Sequence, residues 1–266
     1  MVFAISSNQS KGRGAMPRPL HLYRRRSIMM EQFIRTQMLL GPEAMERLQS
    51  SHVAIFGLGG VGSWCAEALC RTGVGQLTLV DHDVISASNL NRQAAALHST
   101  LGMEKAEATA RRLADISPAC VLNSICARYE ADSRERFFSQ RYDYIVDAID
   151  LVSCKLDLIE TALGRGMPIL SALGTANKLD ATLLRVADIS KTEGCPLARV
   201  VRKELRARGI VHHKVVFSPE PARKPLDCGE APIPGRRSVP ASIMWVPAAA
   251  GLLMASEVVS DLTGGF

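Results

Sequence analysis

The residues with the clearest chemical potential are glycines that lie between a predicted strand and a predicted helix. They are Gly57, Gly59, Gly60 and Gly62. Positions without side chains let phosphate oxygens approach the backbone N–H groups at the start of a helix. Asp81 ends the next predicted strand, where a carboxylate can accept hydrogen bonds from a ribose. The pattern predicts a nucleotide site formed by the four glycines and Asp81, and it suits NAD as readily as ATP.

Motifs on both sides of the glycines favour ATP, because together they resemble one superfamily. They are Phe33-Ile34-Arg35-Thr36, Ser88-Asn89-Leu90-Asn91-Arg92-Gln93, Gly102-Met103-Glu104-Lys105 and Asp147-Ala148-Ile149-Asp150. Their residue types and their order resemble the ubiquitin-activating-enzyme-like adenylyltransferases, which include the ThiF and MoeB branches. The resemblance implies that a homodimer adenylates a carboxylate with ATP, and that Arg35 reaches the nucleotide of the neighbouring subunit.

Charge assigns roles to the residues that match this superfamily. Negative charge must be stabilised on the phosphates during adenylation, and Arg92 and Lys105 are the cations suited to that. Asn89 can donate an amide hydrogen bond, and Asp150 is placed to hold Mg²⁺, which prefers one or two carboxylates plus phosphate oxygens. We therefore expect Arg92, Lys105 and Asp150 to be catalytic. The expected ATP ligands are these three residues with Asn89, Asp81, the four glycines and Arg35.

The elements that must position these residues alternate along the chain. Predicted strands lie at 53–56, 77–80, 121–126, 144–149 and 168–172, and predicted helices lie at 63–71, 103–116 and 154–164. Such alternation is typical of a parallel sheet with helices on both faces. The sequence predicts an α/β, Rossmann-like fold with a mostly parallel sheet. After residue 175 the pattern is irregular, with strands expected at 182–189 and 211–217, and it closes with a buried helix.

Two substrates stay open within the superfamily. The first is the C-terminus of a ubiquitin-like sulfur-carrier protein, which the ThiF and MoeB branches adenylate. Those branches hold a structural zinc on paired cysteines, whereas none of the seven cysteines here forms a C-x-x-C pair.

The second candidate substrate is a tRNA nucleoside, because the chain resembles the zinc-free tRNA threonylcarbamoyladenosine dehydratase branch over most of residues 31–262. The additional matching segments are 35–41, 73–75, 216–220 and the helix at 246–261. This resemblance implies ATP-dependent conversion of threonylcarbamoyladenosine in tRNA to its cyclic form, without an enzyme thioester. The expected cofactors are ATP and Mg²⁺ without zinc, and a monovalent cation is an open alternative. Cys195 and Cys228 receive no catalytic role.

A basic helix predicted at 196–208 supports an RNA partner. Its cations include Arg199, Arg202, Lys203 and Arg206. A local positive cluster in an otherwise neutral body is typical of a phosphate-binding surface. We predict that these four residues bind tRNA, and a solvated helix face is the alternative.

Charge and hydropathy also predict how the chain is organised. Residues 1–30 contain six basic residues and no acid, which equals the +6 net charge of the whole chain. We expect a disordered basic extension at 1–30, or a misassigned start codon, followed by one adenylating domain at 31–266. An organelle transit peptide is the alternative for the extension, but the odd cysteine count favours a cytoplasmic protein. The uncharged stretch 238–256 approaches membrane-spanning length, yet its prolines and small residues predict a buried helix and no stable membrane insertion.

Overall fold

The computed structural model describes residues 31–227, 229 and 240–265, so the predicted basic extension at 1–30 lies outside the described residues. The α-helices are α1 (Ile34–Leu40), α2 (Pro42–Ser50), α3 (Gly62–Thr72), α4 (Lys105–Ile116), α5 (Arg134–Phe137), α6 (Val152–Gly164), α7 (Pro196–Ala207) and α8 (Trp245–Thr263). The strands are β1 (His52–Phe56), β2 (Gln76–Asp81), β3 (Val121–Cys126), β4 (Tyr144–Asp147), β5 (Ile169–Ala172), β6 (Arg185–Asp188) and β7 (Lys214–Phe217).

The strands form one sheet in the order β3-β2-β1-β4-β5-β7-β6. Every pairing is parallel except that of β6 with β7. Strands β2 and β3 follow β1 on one side of it in the sheet, and β4 then pairs with the other side of β1. In open α/β sheets ligands bind beside the carboxyl ends of the strands, where the strand order reverses. The topology therefore places a crevice between the ends of β1 and β4.

Side chains of β1 alternate between two hydrophobic cores, which explains why helices cover both faces of the sheet. Val53 and Ile55 pack with α2, α3, α4 and α8 on one face. Ala54 and Phe56 pack with α6 and α7 on the other face. This period of two is the geometry of a strand. The predicted Rossmann-like fold, with a mostly parallel sheet between helical layers, is confirmed.

Helix α8 is long and apolar enough to cross a membrane, yet it forms part of the core. Ala250, Met254 and Val258 are fully buried. A side chain at Gly251 would lie 2.4 Å from the backbone oxygen of Val61, so glycine lets α8 lie directly against the start of α3. The prediction of a buried C-terminal helix is confirmed.

Three predicted strands are shorter than expected. The strand expected at 211–217 begins only at Lys214, and in the other two cases aspartate side chains capture nearby backbone amides. Strand β4 ends at Asp147, whose Oδ1 accepts a hydrogen bond from the Ile149 amide at 3.0 Å. Asp180 Oδ1 likewise accepts from the Thr182 amide at 2.8 Å, and a 3₁₀ turn replaces the start of the strand expected at 182–189. Such Asx turns compete with strand pairing.

Candidate functional site

The glycine loop connects β1 to α3, and its glycines meet different steric demands. Gly57 has a φ of +89°, and a side chain there would lie 2.7 Å from the Ala148 oxygen of the neighbouring strand end. A side chain at Gly62 would overlap the Gly57 oxygen. Gly59, by contrast, faces open space. Gly57 and Gly62 therefore serve the close packing of the loop, and Gly59 leaves room for a ligand to approach the backbone.

Backbone donors are available in this loop. The Gly57 amide donates to the Val80 oxygen at 2.8 Å, and the Leu58 amide donates to Asp81 Oδ2 at 2.6 Å. Within the described part of the chain, the amides of Gly59 and Gly60 have no acceptor. Free N–H groups at the start of a helix form a favourable site for phosphate, so the loop fits the phosphates of a nucleotide.

Asp81 is buried at the end of β2 and helps to shape the loop. Its carboxylate accepts from the Leu58 amide and, through Oδ1, from the Asp83 amide at 2.9 Å. Each carboxylate oxygen has two lone pairs, so Asp81 retains acceptor capacity for a ribose hydroxyl. The role predicted from sequence stays a prediction, and the contact with the glycine loop is an additional role.

Lys105 begins α4 and points its amine toward a residue that the sequence analysis did not single out. Its side chain is 9% exposed, and Nζ lies 2.8 Å from Asp83 Oδ2. Burial works to raise the pKa of Asp83, but the hydrogen bond and charge of Lys105 outweigh burial and hold the pKa below its usual value. The pair orients a cation at the crevice. The sequence signal that could have identified Asp83 was its position two residues after Asp81, which ends β2.

Arg92 and Asn89 lie beside the glycine loop. A side chain at Gly60 would meet Arg92 Cγ at 3.4 Å, and the Trp64 indole N–H donates to the Arg92 backbone oxygen at 2.9 Å. Arg92 Nη1 donates to the Ser88 oxygen at 2.7 Å. Buried Asn89 accepts from the Ser86 amide through Oδ1, which leaves its NH₂ group as a donor. Arg92 is thus adjacent to the predicted phosphate position, and Asn89 connects to it through its backbone oxygen, which accepts from the Arg92 amide at 3.1 Å.

The two aspartates at the end of β4 and just after it have different environments. Asp147 is fully buried and forms a 2.7 Å ion pair with Lys155, which is also fully buried and donates to the Ala172 oxygen at 3.0 Å. Asp150 is exposed after the turn. The buried pair joins β4, β5 and α6, so it fixes the strand end that carries Asp150. Sequence reasoning missed Lys155, although a lysine inside an otherwise apolar helix pattern was a visible signal.

Asp150 lies outside the one His and carboxylate group of the described residues that could close around a metal ion. That group consists of Asp81, His82 and Asp83. The ammonium of Lys105 already contacts Asp83, and a resident cation opposes metal binding there. Asp150 therefore fits a Mg²⁺ site better than this group does, because one carboxylate and phosphate oxygens together can hold Mg²⁺.

The four predicted tRNA ligands divide into two groups on α7. Arg199, Lys203 and Arg206 are exposed and, at a spacing of four and three residues, share one face of the helix. Arg202 is half-buried, and its guanidinium donates to the Thr192 hydroxyl at 2.7 Å. Arg202 therefore anchors α7 to the preceding loop, and the exposed cations are the other three.

The cysteines and Arg35 complete the account of the predicted residues. Cys195 is buried before α7, where its Sγ accepts from the Ala198 amide at 3.5 Å, and Cys228 lies outside the described residues. Arg35 is exposed on α1, a helix without buried residues that packs against α2. The structure of the single chain does not bring Arg35 to the crevice.

Comparison with known proteins agrees with this geometry. The ThiF family model matches residues 33–265. The tRNA threonylcarbamoyladenosine dehydratase of Bacillus subtilis (strain 168) is 42% identical over 242 residues, which cover 88% of this chain and 95% of the relative. The crystal structure of the E. coli tRNA N6-threonylcarbamoyladenosine dehydratase with ATP superimposes with a TM-score of 0.79 at 31% identity, over 88% of this chain and 95% of that one.

A relative from the sulfur-carrier branch matches a smaller part of the chain. The molybdopterin-synthase adenylyltransferase of Salmonella typhimurium is 33% identical over 129 residues, which cover 48% of this chain and 51% of the relative. The Bacillus subtilis dehydratase and the E. coli dehydratase structure each cover 88% of this chain instead. The chain therefore belongs to the ThiF family, and within it to the tRNA threonylcarbamoyladenosine dehydratases.

Proposed function

We propose that this protein uses ATP to dehydrate threonylcarbamoyladenosine in tRNA to its cyclic form. The observation that carries the proposal is the match to the Bacillus subtilis dehydratase over 95% of that relative's length. The crevice at the strand-order reversal supports it, because the glycine loop there is bordered by Arg92 at Gly60, and Lys105 pairs with Asp83 just after β2. The reaction joins the threonyl carboxylate to the α-phosphorus with release of pyrophosphate, and an internal urea nitrogen then closes the ring with release of AMP.

The residues of the crevice divide the work of stabilising charge. The amides of Gly59 and Gly60 donate to phosphate oxygens, and the Asn89 amide adds a further donor. Arg92 and Lys105 stabilise the charge that grows as pyrophosphate departs, and such preorganised charges act without reorganisation cost. Asp150 would hold Mg²⁺ together with phosphate oxygens, where the ion would neutralise phosphate charge, and the reaction needs no zinc. Since the nucleophile belongs to the substrate, the buried thiol of Cys195 takes no part.

The tRNA is held by the exposed face of α7. Arg199, Lys203 and Arg206 form no ion pair within the described part of the chain, so their charge is available to phosphates. Electrostatic contacts of this kind position an RNA without reading its sequence.

The active form is a homodimer that assembles through α1. Met38 and Leu39 are 78% and 88% exposed on this helix, and exposed apolar side chains next to one another mark association surfaces. In the dimer Arg35 reaches the nucleotide of the partner subunit. The protein acts in the cytoplasm, without stable membrane insertion.

Nucleoside analysis tests the reaction directly. Purified protein, ATP and Mg²⁺ are incubated with tRNA that carries threonylcarbamoyladenosine, and the digested nucleosides are measured by mass spectrometry. We expect the cyclic nucleoside to appear with loss of one water and with AMP in equal amount. Omission of ATP is the control. Absence of the cyclic nucleoside, together with adenylation of a sulfur-carrier protein, would establish the alternative substrate.

A further inference from the structure

A pocket of about 270 Å³ lies beside the nucleotide crevice and has a basic rim. Its lining includes Asn177, Leu179, Arg223, Lys224 and Ser242. The pocket follows β5, at the same edge of the sheet as the glycine loop, because Asn177 and Leu179 belong to the segment after that strand. None of these side chains has a role in the adenylation chemistry described above.

Asn177 holds the walls of the pocket together. Its φ is +61°, a conformation that asparagine tolerates better than most residues. Its amide donates to the Ala241 oxygen, its Oδ1 accepts from the Ala241 amide, and its backbone oxygen accepts from the Arg223 amide, all at 2.8 Å. The structural contact of Arg223 with Asn177 thus uses the backbone. Its side chain is 67% exposed, and its Nε lies 4.0 Å from Glu220 Oε1.

An exposed indole adjoins the pocket. Trp245 begins α8, is 50% exposed, and donates its ring N–H to the backbone oxygen of Leu179 at 2.6 Å. Leu179 is itself part of the pocket wall. The hydrogen bond fixes the edge of the indole against the wall, while half of the side chain stays open to solvent.

Two contacts connect the indole and the pocket to the nucleotide crevice. A side chain at Gly60 would lie 3.1 Å from Cβ of Pro247, which is two residues beyond Trp245. Asn91, next to Arg92, donates through Nδ2 to the Ser242 oxygen at 3.1 Å. Trp245 and the basic rim therefore lie next to the crevice in which the reacting adenosine is proposed to bind.

We propose that Trp245 and the pocket rimmed by Arg223 and Lys224 bind one single-stranded nucleotide of the anticodon loop, next to the reacting adenosine. The inference rests on the proposed function. The indole stacks on the base, and the two cations hold a flanking phosphate. Aromatic faces and cations are the combination that binds unpaired nucleotides, since every base has a π-face and every linkage carries a charge.

Binding of an anticodon stem-loop RNA tests the stacking contact independently of turnover. The RNA should quench the tryptophan fluorescence of the wild-type protein. Trp245→Ala should weaken binding about tenfold or more, the loss typical of one base stacked on an aromatic ring. Trp245→Phe should keep most of the affinity, because it retains an aromatic face although it loses the hydrogen bond to Leu179.

The charge contact is tested by the salt dependence of the same binding. The double variant Arg223→Ala/Lys224→Ala should lower the log–log salt slope by about 0.7 for each lost phosphate contact. Arg111→Ala is the matched control, because Arg111 is an exposed cation on α4, which packs on β3 at the far edge of the sheet. The control should bind like the wild type.

Two outcomes would overturn the inference. One is that Trp245→Ala binds the RNA with the same affinity as the Arg111→Ala control and that the double variant has the same salt slope as that control. The other is a loss in Trp245→Phe as large as in Trp245→Ala, which would make the Leu179 hydrogen bond the cause. If the wild-type protein nevertheless forms the cyclic nucleoside in tRNA, the proposed function stands and only this inference fails. If the wild-type protein forms no cyclic nucleoside, the nucleoside analysis contradicts the proposed function, whatever the binding experiments show.

Discussion

Lys105 brings a positive charge into the wall of the crevice, where Asp83 orients its amine at 2.8 Å. Lys105→Ala should slow formation of the cyclic nucleoside by about a hundredfold or more, since one preorganised charge contact to the transition state is lost. Arg92→Ala should have a similar effect. Single-turnover release of AMP measures the step. Arg111→Ala, which removes an exposed cation from the same helix as Lys105, should leave the rate unchanged, and near-wild-type turnover in Lys105→Ala would remove this residue from the mechanism.

Asp150 and Asp83 are rival carboxylates for Mg²⁺. Because Lys105 already neutralises Asp83, we expect Asp150→Asn to raise the Mg²⁺ concentration needed for half-maximal turnover by about tenfold or more. Asp83→Asn should alter turnover with little change in the Mg²⁺ requirement, and Asp132→Asn is a control at an exposed acid. Titration of activity with Mg²⁺ measures the effect. The reverse pattern, with Asp83→Asn shifting the requirement, would place the metal at Asp81, His82 and Asp83.

At the scale of the element, α7 offers a surface whose charges can be removed without disturbing its packing. The triple variant Arg199→Ala/Lys203→Ala/Arg206→Ala should weaken tRNA binding, and each lost phosphate contact should lower the log–log salt slope by about one unit. Binding at several salt concentrations measures the slope, and ATP affinity should stay constant.

Arg202→Ala is the matched control for the charge of α7. Its guanidinium bonds to Thr192, so we expect this variant to lose thermal stability and to keep the slope nearly unchanged. Equal slopes for the wild type and the triple variant would mean that the exposed face of α7 is only solvated.

Helix α1 presents apolar side chains that the described part of the chain leaves exposed. Met38→Glu/Leu39→Glu should convert a dimer to a monomer, because burying two carboxylates in an apolar contact is costly. Light scattering measures the mass. Wild-type protein that is monomeric at working concentrations would contradict the dimer.

Subunit mixing tests whether Arg35 acts across that dimer. Arg35→Ala and Lys105→Ala should each be inactive, but their heterodimer contains one intact site, so random mixing should restore about a quarter of wild-type activity. Mixed subunits without recovered activity would mean that Arg35 acts within its own chain or not at all.

At the scale of the whole molecule, a polar network is buried between the sheet and α6. His213 contacts Ser171 through Nε2 at 2.8 Å, and its Nδ1 has no partner in the described part of the chain. Burial, with the nearby cation of Lys155, lowers the pKa of His213 to about 3. The folded protein therefore keeps this histidine neutral under conditions in which the unfolded chain binds a proton.

The sign of the resulting pH dependence follows from proton linkage. Because folding depresses the pKa of His213, this group does not destabilise the folded protein above pH about 6.5. As the pH falls from there toward 3, the free energy of unfolding decreases by about 1.4 kcal/mol per pH unit for this one group. Urea unfolding between pH 7 and pH 4.5 measures this slope. His213→Gln should show a smaller slope than the wild type. The comparison of the two proteins cancels the contribution of His52, because both of them contain that residue. Parallel pH profiles would contradict the assignment.

The sequence by itself determined the features that depend on neighbouring residues. The short apolar run at 53–56, the glycines that follow and the helix that begins within them predicted the strand, the loop and the crevice. The alternation of strands and helices predicted the parallel sheet, and the small apolar residues of 248–255 predicted a core helix. These predictions succeeded because backbone propensity and hydrophobic periodicity are local properties of the chain.

Only the tertiary structure decided which member of each charged cluster is buried and which is exposed. Asp147 and Asp150 are three residues apart, but Asp147 is fully buried in an ion pair with Lys155, beside the Ala172 oxygen of another strand, whereas Asp150 is exposed. Arg202 differs from Lys203 because Thr192 lies next to it. Whether an ionisable side chain is buried and paired depends on residues distant in sequence, since desolvation and Coulomb energies depend on distance in space. Trp245 acquired its place beside the crevice for the same reason, through contacts with Leu179 that no local pattern predicts.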